Sequence, residues 1–157
     1  CGTFQADFNL PDRLEAEYIG EDGSKHQPVM MHRAILGSFE RFIGILIENY
    51  SGKLPLWLAP TQISILTVTE EVNEYAFSLK EKFDEINIRV ELDNRNEKIG
   101  YKIREHSNAK VPLMAVIGKD EMEANTISIR NLSENKTNTY SIDEAVVLLE
   151  ASSSTPR

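Results

Sequence analysis

Cysteine is nearly absent: the 157 residues hold one, Cys1. One thiol cannot build an internal disulfide framework or a multi-cysteine zinc knuckle, and it fits a reducing compartment. Long apolar runs are also missing. The longest, such as Ile43 to Ile47, fall far short of the roughly 20 residues a membrane helix needs. No charged leader with an apolar core opens the chain, so no secretory signal is expected. Basic charge is in deficit. Lys and Arg number 17 against 25 Asp and Glu, a net −8 at pH 7, which counts against nucleic acid as a partner. What remains, 41% hydrophobic and 27% charged residues, is an ordinary globular composition. The length suits one domain, or one domain and a piece of another. The chain starts Cys1-Gly2-Thr3 without Met and alternates at once as a strand does, so it reads as part of something longer.

The pattern divides near Leu58-Ala59-Pro60. Before it, Phe4 to Phe8, Leu14 to Ile19 and Pro28 to Leu36 read as strands. Glu21 to Lys25 reads as a turn, pairing 14–19 with 28–36 in an antiparallel meander. Ser38 is the expected N-cap of a helix whose Phe39, Phe42, Ile43 and Leu46 form one apolar face, with Arg41 on the other side. Tyr50 to Pro60 is a connector. After Pro60, strands at 63–68, 88–92, 111–117, 126–129 and 137–141 alternate with helices at 70–85, 97–106 and 143–149. The segment 118–124 is a loop or short helical turn. Helix 97–106 is expected to turn Ile99 and Ile103 inward and Lys98, Lys102 and Arg104 outward. Ala151 to Arg157 reads as a polar, disordered tail. The order βαβαβ, then ββα, predicts an α/β fold: a central mixed, mostly parallel sheet flanked by helices. The divisions are 1–58, 59–150 and 151–157.

The residues that could carry chemistry each have an ordinary reading. His32, in an apolar strand, suits a hydrogen-bonded core histidine, and His26 and His106 complete no metal spacing. Arg41 suits a solvated helix face, though an Arg one turn into a helix can add a bidentate phosphate contact. Between Asp93 and Lys110 stand five basic residues, Arg95, Lys98, Lys102, Arg104 and Lys110, against three acidic ones. That local +2 is either a charged helix face or a surface that meets phosphates, with Asn96 at a helix start to read a base edge. Glu121 and Arg130 lie at or beyond strand ends, where open α/β sheets hold ligands.

Longer stretches carry more. Pro28-Val29-Met30-Met31-His32-Arg33-Ala34-Ile35-Leu36-Gly37-Ser38-Phe39-Glu40-Arg41-Phe42-Ile43-Gly44 closely resembles the third class-defining motif of threonyl-tRNA synthetases. Gly2-Thr3-Phe4-Gln5-Ala6-Asp7-Phe8 and Tyr18-Ile19-Gly20-Glu21-Asp22 are similar to the strands before that motif. Trp57-Leu58-Ala59-Pro60-Thr61-Gln62 resembles the family's junction into its anticodon-binding domain. Asp93-Asn94-Arg95-Asn96-Glu97-Lys98-Ile99-Gly100-Tyr101-Lys102-Ile103-Arg104-Glu105 resembles that domain's most recognisable segment. The likeness runs from Cys1 to about Leu149.

The resemblance implies that residues 1–58 are the end of a class II catalytic domain and 59–150 an anticodon-binding domain. It implies a parent that activates threonine with ATP and magnesium and transfers it to threonine tRNA. Arg41 takes the catalytic role on the ATP γ-phosphate, where a guanidinium fork suits better than an ammonium. Thr3, Gln5 and Gly37 line the ATP and amino-acid pocket. His32 becomes one ligand of a zinc that recognises the threonine hydroxyl, a group whose absence in valine allows strong discrimination. The other two ligands would lie upstream, and Cys1 is not one of them. Asn96, Glu121 and Arg130 fall at positions that read anticodon bases, while Asp120 departs from the basic residue expected there. A homodimeric, cytoplasmic parent, no membrane partner, and a fragment inactive on its own follow from the same likeness. The rivals are a sister synthetase for proline, histidine or glycine, and a non-catalytic RNA-binding protein of this fold.

Overall fold

The computed structural model describes residues 2–155. The readings that fall on Cys1, Pro156 and Arg157 lie outside them. The chain divides into two units, residues 1–49 and 50–157.

The first unit contains β1 (Thr3–Asp7), α1 (Leu10–Arg13), β2 (Tyr18–Ile19), β3 (Lys25–His26) and β4 (Met30–Ala34), and α2 (Phe39–Tyr50) follows. The expected strand at 14–19 is mostly not a strand. Asp7 Oδ1 accepts from the amides of Asn9 and Leu10 at 2.9 Å, and Pro11 stands in the first turn. Proline at a helix start and a capping carboxylate both favour a helical turn. That turn closes through Ala16 N to Pro11 O, so only Tyr18 and Ile19 are extended. They pair with His26 and Lys25, and Lys25 thus belongs to a strand rather than to the turn. β4 pairs instead with β1, antiparallel, Gln5 opposite His32. The expected meander is therefore replaced by two separate ladders. Pro11 is the one buried residue among those described in this unit. Phe4, Phe8, Met31, Ile35 and Phe39 are all exposed, Phe39 by 75%.

The second unit is a five-stranded sheet. Its strands are β5 (Ile63–Thr67), β6 (Val90–Asp93), β7 (Leu113–Ile117), β8 (Thr126–Asn131) and β9 (Lys136–Ser141), in the order β6-β5-β7-β8-β9. β5 runs parallel to β6 and to β7, and β8 is antiparallel to β7 and β9. Four strands thus point one way and β8 alone is reversed, the mixed and mostly parallel sheet expected. β5 is buried along its whole length, Ser64 and Thr67 included, as befits a central strand with parallel neighbours on both sides and helices on its faces. Gln62 fixes where that strand begins: its Oε1 accepts from Arg89 N and its Nε2 donates to Leu56 O.

The helices are α3 (Asn73–Glu85), α4 (Ile99–Asn108), α5 (Lys119–Ala124) and α6 (Ile142–Ser153). The crossover through α3 steps from β5 to β6, and that through α4 steps back across β5 to β7. Right-handed crossovers in opposite directions place the two helices on opposite faces. Val72, Ala76, Leu79 and Phe83 of the α3 segment, with Ile142, Ala145 and Leu149 of α6, build the core against Ile63, Ile65, Ala115, Ile117 and Ile127. α4 covers part of the other face, where Ser107 Oγ lies 3.8 Å from Met114 Sδ. α6 begins one residue before the expected 143 and is capped by Ser141, whose Oγ accepts from Glu144 N while Glu144 accepts back from Ser141 N. It runs on to Ser153, so the first three residues of the expected disordered tail are helical. Connector residues 50–58 fold with this unit, Arg89 donating to the carbonyls of Trp57 and Ala59. No helix among the described residues is long and apolar enough to cross a membrane.

Candidate functional site

In the first unit the β1–β4 ladder decides which side chains share a face. Residues opposite one another in an antiparallel pair project to the same side, and residues two apart stay there. The register Thr3–Ala34, Gln5–His32 and Asp7–Met30 thus places Thr3, Gln5, Asp7 and His32 on one face. His32 is 46% exposed with Nε2 3.7 Å from Asp7 Oδ2, so the core-histidine reading fails. The amides of Leu10 and Asn9 hold the Asp7 carboxyl below its ordinary range, with His32 adding to the effect. Asp7 is therefore an anion beside that imidazole. Among the described residues no group of three His, Cys, Asp or Glu side chains is placed to hold a metal ion. His32 fits as one ligand with a carboxylate behind it, and does not by itself make a zinc site.

Beyond β4 the backbone turns through Gly37 at φ +76°. A Cβ there would meet nothing within 4 Å, so the left-handed backbone, rather than lack of room, calls for glycine. Ser38 Oγ then accepts from Arg41 N at 3.2 Å, which caps α2 as expected. Arg41 stands exposed on the first turn, where a helix N-terminus and a guanidinium both favour an anion.

In the second unit Asn96 follows the carboxyl end of β6, and Glu121 lies on α5 beyond the carboxyl end of β7. One strand, β5, separates β6 from β7, a spacing of about 10 Å between those two strands. Arg130 lies across from Met114 on β8, and Ser128 across from Val116. Pairing with β9 adds Thr139 opposite Ser128 and Thr137 opposite Arg130. Arg130, Ser128, Thr137 and Thr139 therefore share one polar face. Glu121 joins that face: its Oε1 accepts from Ser128 Oγ at 2.8 Å and its Oε2 from Gly118 N at 2.9 Å. Thr139 Oγ1 lies 3.0 Å from Ser128 Oγ. Arg130 Nη2 donates to Asn135 Oδ1 at 2.6 Å, and its Nε is buried with no partner among the described residues. The structure thus brings Glu121 and Arg130 onto one sheet face through β8, and sets Asn96 apart on the loop after β6.

The basic run is not the surface its composition suggests. Lys102, expected outward, is 1% exposed. Its Nζ donates to the carbonyls of Thr67 and Asp93 at 2.9 and 3.0 Å. Burial lowers its pKa, an effect that Asp93 partly offsets. Arg95 closes a fork on Asp93, Nε to Oδ1 at 2.9 Å and Nη2 to Oδ2 at 2.7 Å, and Nη2 also donates to Glu105 at 2.6 Å. His106, buried, donates from Nε2 to Asp93 Oδ2 at 3.1 Å. Arg95 chiefly holds the Asp93 carboxyl far below the usual carboxylate range, and His106 and Lys102 reinforce it. Of the five basic side chains Lys102 is therefore buried, and Arg95, though 49% exposed, is paired with Asp93 and Glu105, while Lys98, Arg104 and Lys110 are exposed. The signal in the sequence was the i, i+4 pair Lys102 and His106, which share a helix face. A reading by hydrophobicity alone assigns that face to solvent.

Residues 62–152 match the anticodon binding domain family, and residues 1–50 match the class II core domain of tRNA synthetases for glycine, histidine, proline, serine and threonine. A threonine–tRNA ligase of Ehrlichia chaffeensis is 62% identical over 95% of this chain, and one of Caulobacter vibrioides is 54% identical over 99%. The chain spans 24% of the length of each. The crystal structure of the RNA binding domain of threonyl-tRNA synthetase from Cryptosporidium parvum superposes with a TM-score of 0.74 at 33% identity, covering 97% of this chain and 39% of that one. With its five-stranded mixed sheet and the matched segment before it, the chain belongs to the anticodon binding domain family, preceded by a stretch of class II tRNA synthetase core.

Proposed function

We propose that this chain is the C-terminal part of a threonine–tRNA ligase, a cytoplasmic, homodimeric enzyme that activates threonine with ATP and magnesium and charges threonine tRNA. The junction between the catalytic part and the anticodon-binding part is placed between residues 58 and 59. The observation that carries the reading is 62% identity over 95% of the chain to such a ligase. Arg41, exposed at the start of α2, is assigned to the ATP γ-phosphate, and Gly37 shapes the turn before it. Thr3 and Gln5 line the ATP and threonine pocket from the face they share with His32. His32 is assigned as one zinc ligand, its partners coming from residues beyond those described. When bound, that ion supplies Lewis-acid recognition of the threonine hydroxyl. Asp7 places a carboxylate 3.7 Å from the His32 Nε2. Asn96, Glu121 and Arg130 are assigned to the anticodon. Unstacked anticodon bases present edges that such side chains can read, and Glu121 is already held in one orientation by Ser128 and Gly118.

Filter binding of a threonine tRNA transcript to the 157-residue chain tests this. Arg130→Ala is expected to weaken binding about tenfold, within the 1–3 kcal/mol that a specific arginine contact supplies. Equal affinity and equal anticodon discrimination in the two proteins would overturn the assignment.

A further inference from the structure

The sequence presents Arg95 as part of a basic run next to Asn96, yet its guanidinium, though half exposed, is committed to carboxylates of its own chain. Both its Nε and Nη2 end on Asp93, and Nη2 also reaches Glu105 on α4. The Arg95 amide adds a bond to Asp93 Oδ1 at 3.3 Å. Glu97 N then donates to Arg95 O at 2.9 Å, so Asn96 sits at the apex of a turn whose first residue is pinned by backbone and side chain together. Beyond that turn α4 is anchored by Lys102 and His106, both buried against the ends of β5 and β6. The two flanks of the turn are thus tied to one carboxylate, and the exposed Asn96 side chain projects from a rigid frame.

We propose that Arg95 is a positioning residue for Asn96: it sets base discrimination through its fork on Asp93 and Glu105, not by contacting RNA phosphates. This rests on the reading of Asn96 as a base reader. A rigid support matters because a base-edge hydrogen bond tolerates little displacement, and preorganisation avoids an ordering cost on binding. Lysine keeps the charge but cannot form the planar fork, which separates geometry from charge.

The test uses the 157-residue chain, a threonine tRNA transcript, and three transcripts each with one anticodon base replaced. Affinities are measured over a range of salt for wild type, Asn96→Ala, Arg95→Lys, Arg95→Gln, Glu105→Gln and the double variant Asn96→Ala with Arg95→Lys. Thermal melts check that each variant is folded. Arg95→Lys is expected to lose about tenfold in discrimination at the same base as Asn96→Ala, the scale of one base-edge contact. The double variant should lose no more than Asn96→Ala alone, and the slope of log affinity against log salt should stay at the wild-type value. Glu105→Gln, which keeps an acceptor but removes the charge of the outer anchor at the surface, should show a smaller loss at that base. If Asn96→Ala loses discrimination while Arg95→Lys and Glu105→Gln keep it, the positioning role falls and the reading of Asn96 stands. A salt slope reduced by about 0.7 in a charge-removing Arg95→Gln would make Arg95 a phosphate contact and also overturn the role. Unchanged discrimination in Asn96→Ala would overturn the reading of Asn96 and this proposal with it.

Discussion

Asp93 ends β6 with every acceptor in use: its carboxylate takes Arg95 and His106, and its carbonyl takes Lys102. Removing one partner of a buried charged cluster leaves the others without a counter-charge, which costs several kcal/mol. Asp93→Asn is expected to lower unfolding stability by about 3 kcal/mol, measured by urea denaturation at pH 7. The pH dependence has a definite sign. The folded carboxyl titrates below its unfolded value, so its contribution is fully present above the unfolded value near pH 4. It fades as the pH falls toward the folded value. The gap between wild type and variant should therefore be constant from pH 6 to 7 and narrow below about pH 4. A gap that widens with acid would contradict the ion-pair account. Lys102 marks the limit of sequence reading at this scale. Its flanking Ile99 and Ile103 point toward the sheet as expected only in part, both being half-buried. The deepest position on α4 went to a charged group because two strand-end carbonyls needed a donor.

At the scale of elements, helices with strong end signals were the most legible. Ser38 caps α2 as read from the sequence, whereas the capping box of Ser141 and Glu144 that starts α6 emerged only in the structure. Ser141→Ala removes the acceptor for Glu144 N and should destabilise the second unit by about 1 kcal/mol, read as a lower urea midpoint with unchanged slope. α3 was legible for another reason: Val72, Ala76, Leu79 and Phe83 repeat at helical spacing, and all four are fully buried. The two-residue strands β2 and β3 carry no period long enough to detect. Alternation at 14–19 misled because a carboxylate cap and a proline just upstream had already committed the chain to a helical turn.

For the whole molecule, the two units differ in what they bury. The second has a continuous core of fully buried side chains, from Ile63 to Leu149. The first buries Pro11 alone among its described residues and leaves Phe4, Met31, Ile35 and Phe39 to solvent. Protection from exchange follows burial and backbone hydrogen bonding. Amides of β5 and β7 should exchange at the rate of global unfolding. Those of β1 and β4 should exchange orders of magnitude faster, measured by mass spectrometry at pH 7. Equal protection in the two units would show that the first has cover that its exposed apolar side chains do not reveal.

By itself the sequence determined the alternation of strands and helices after Pro60, the cap Ser38, and the two long motifs that resemble threonyl-tRNA synthetases. Each is local, written in spacing that repeats within one or two turns. Only the tertiary structure decided that Gln5 stands opposite His32, that Glu121 and Arg130 share one face of the sheet, that Lys102 is buried, and that Arg95 is taken up by Asp93 and Glu105. These depend on strand register and on charges far apart in the chain finding one another. A net charge of −8, or a local +2, counts such charges without showing which of them still face solvent.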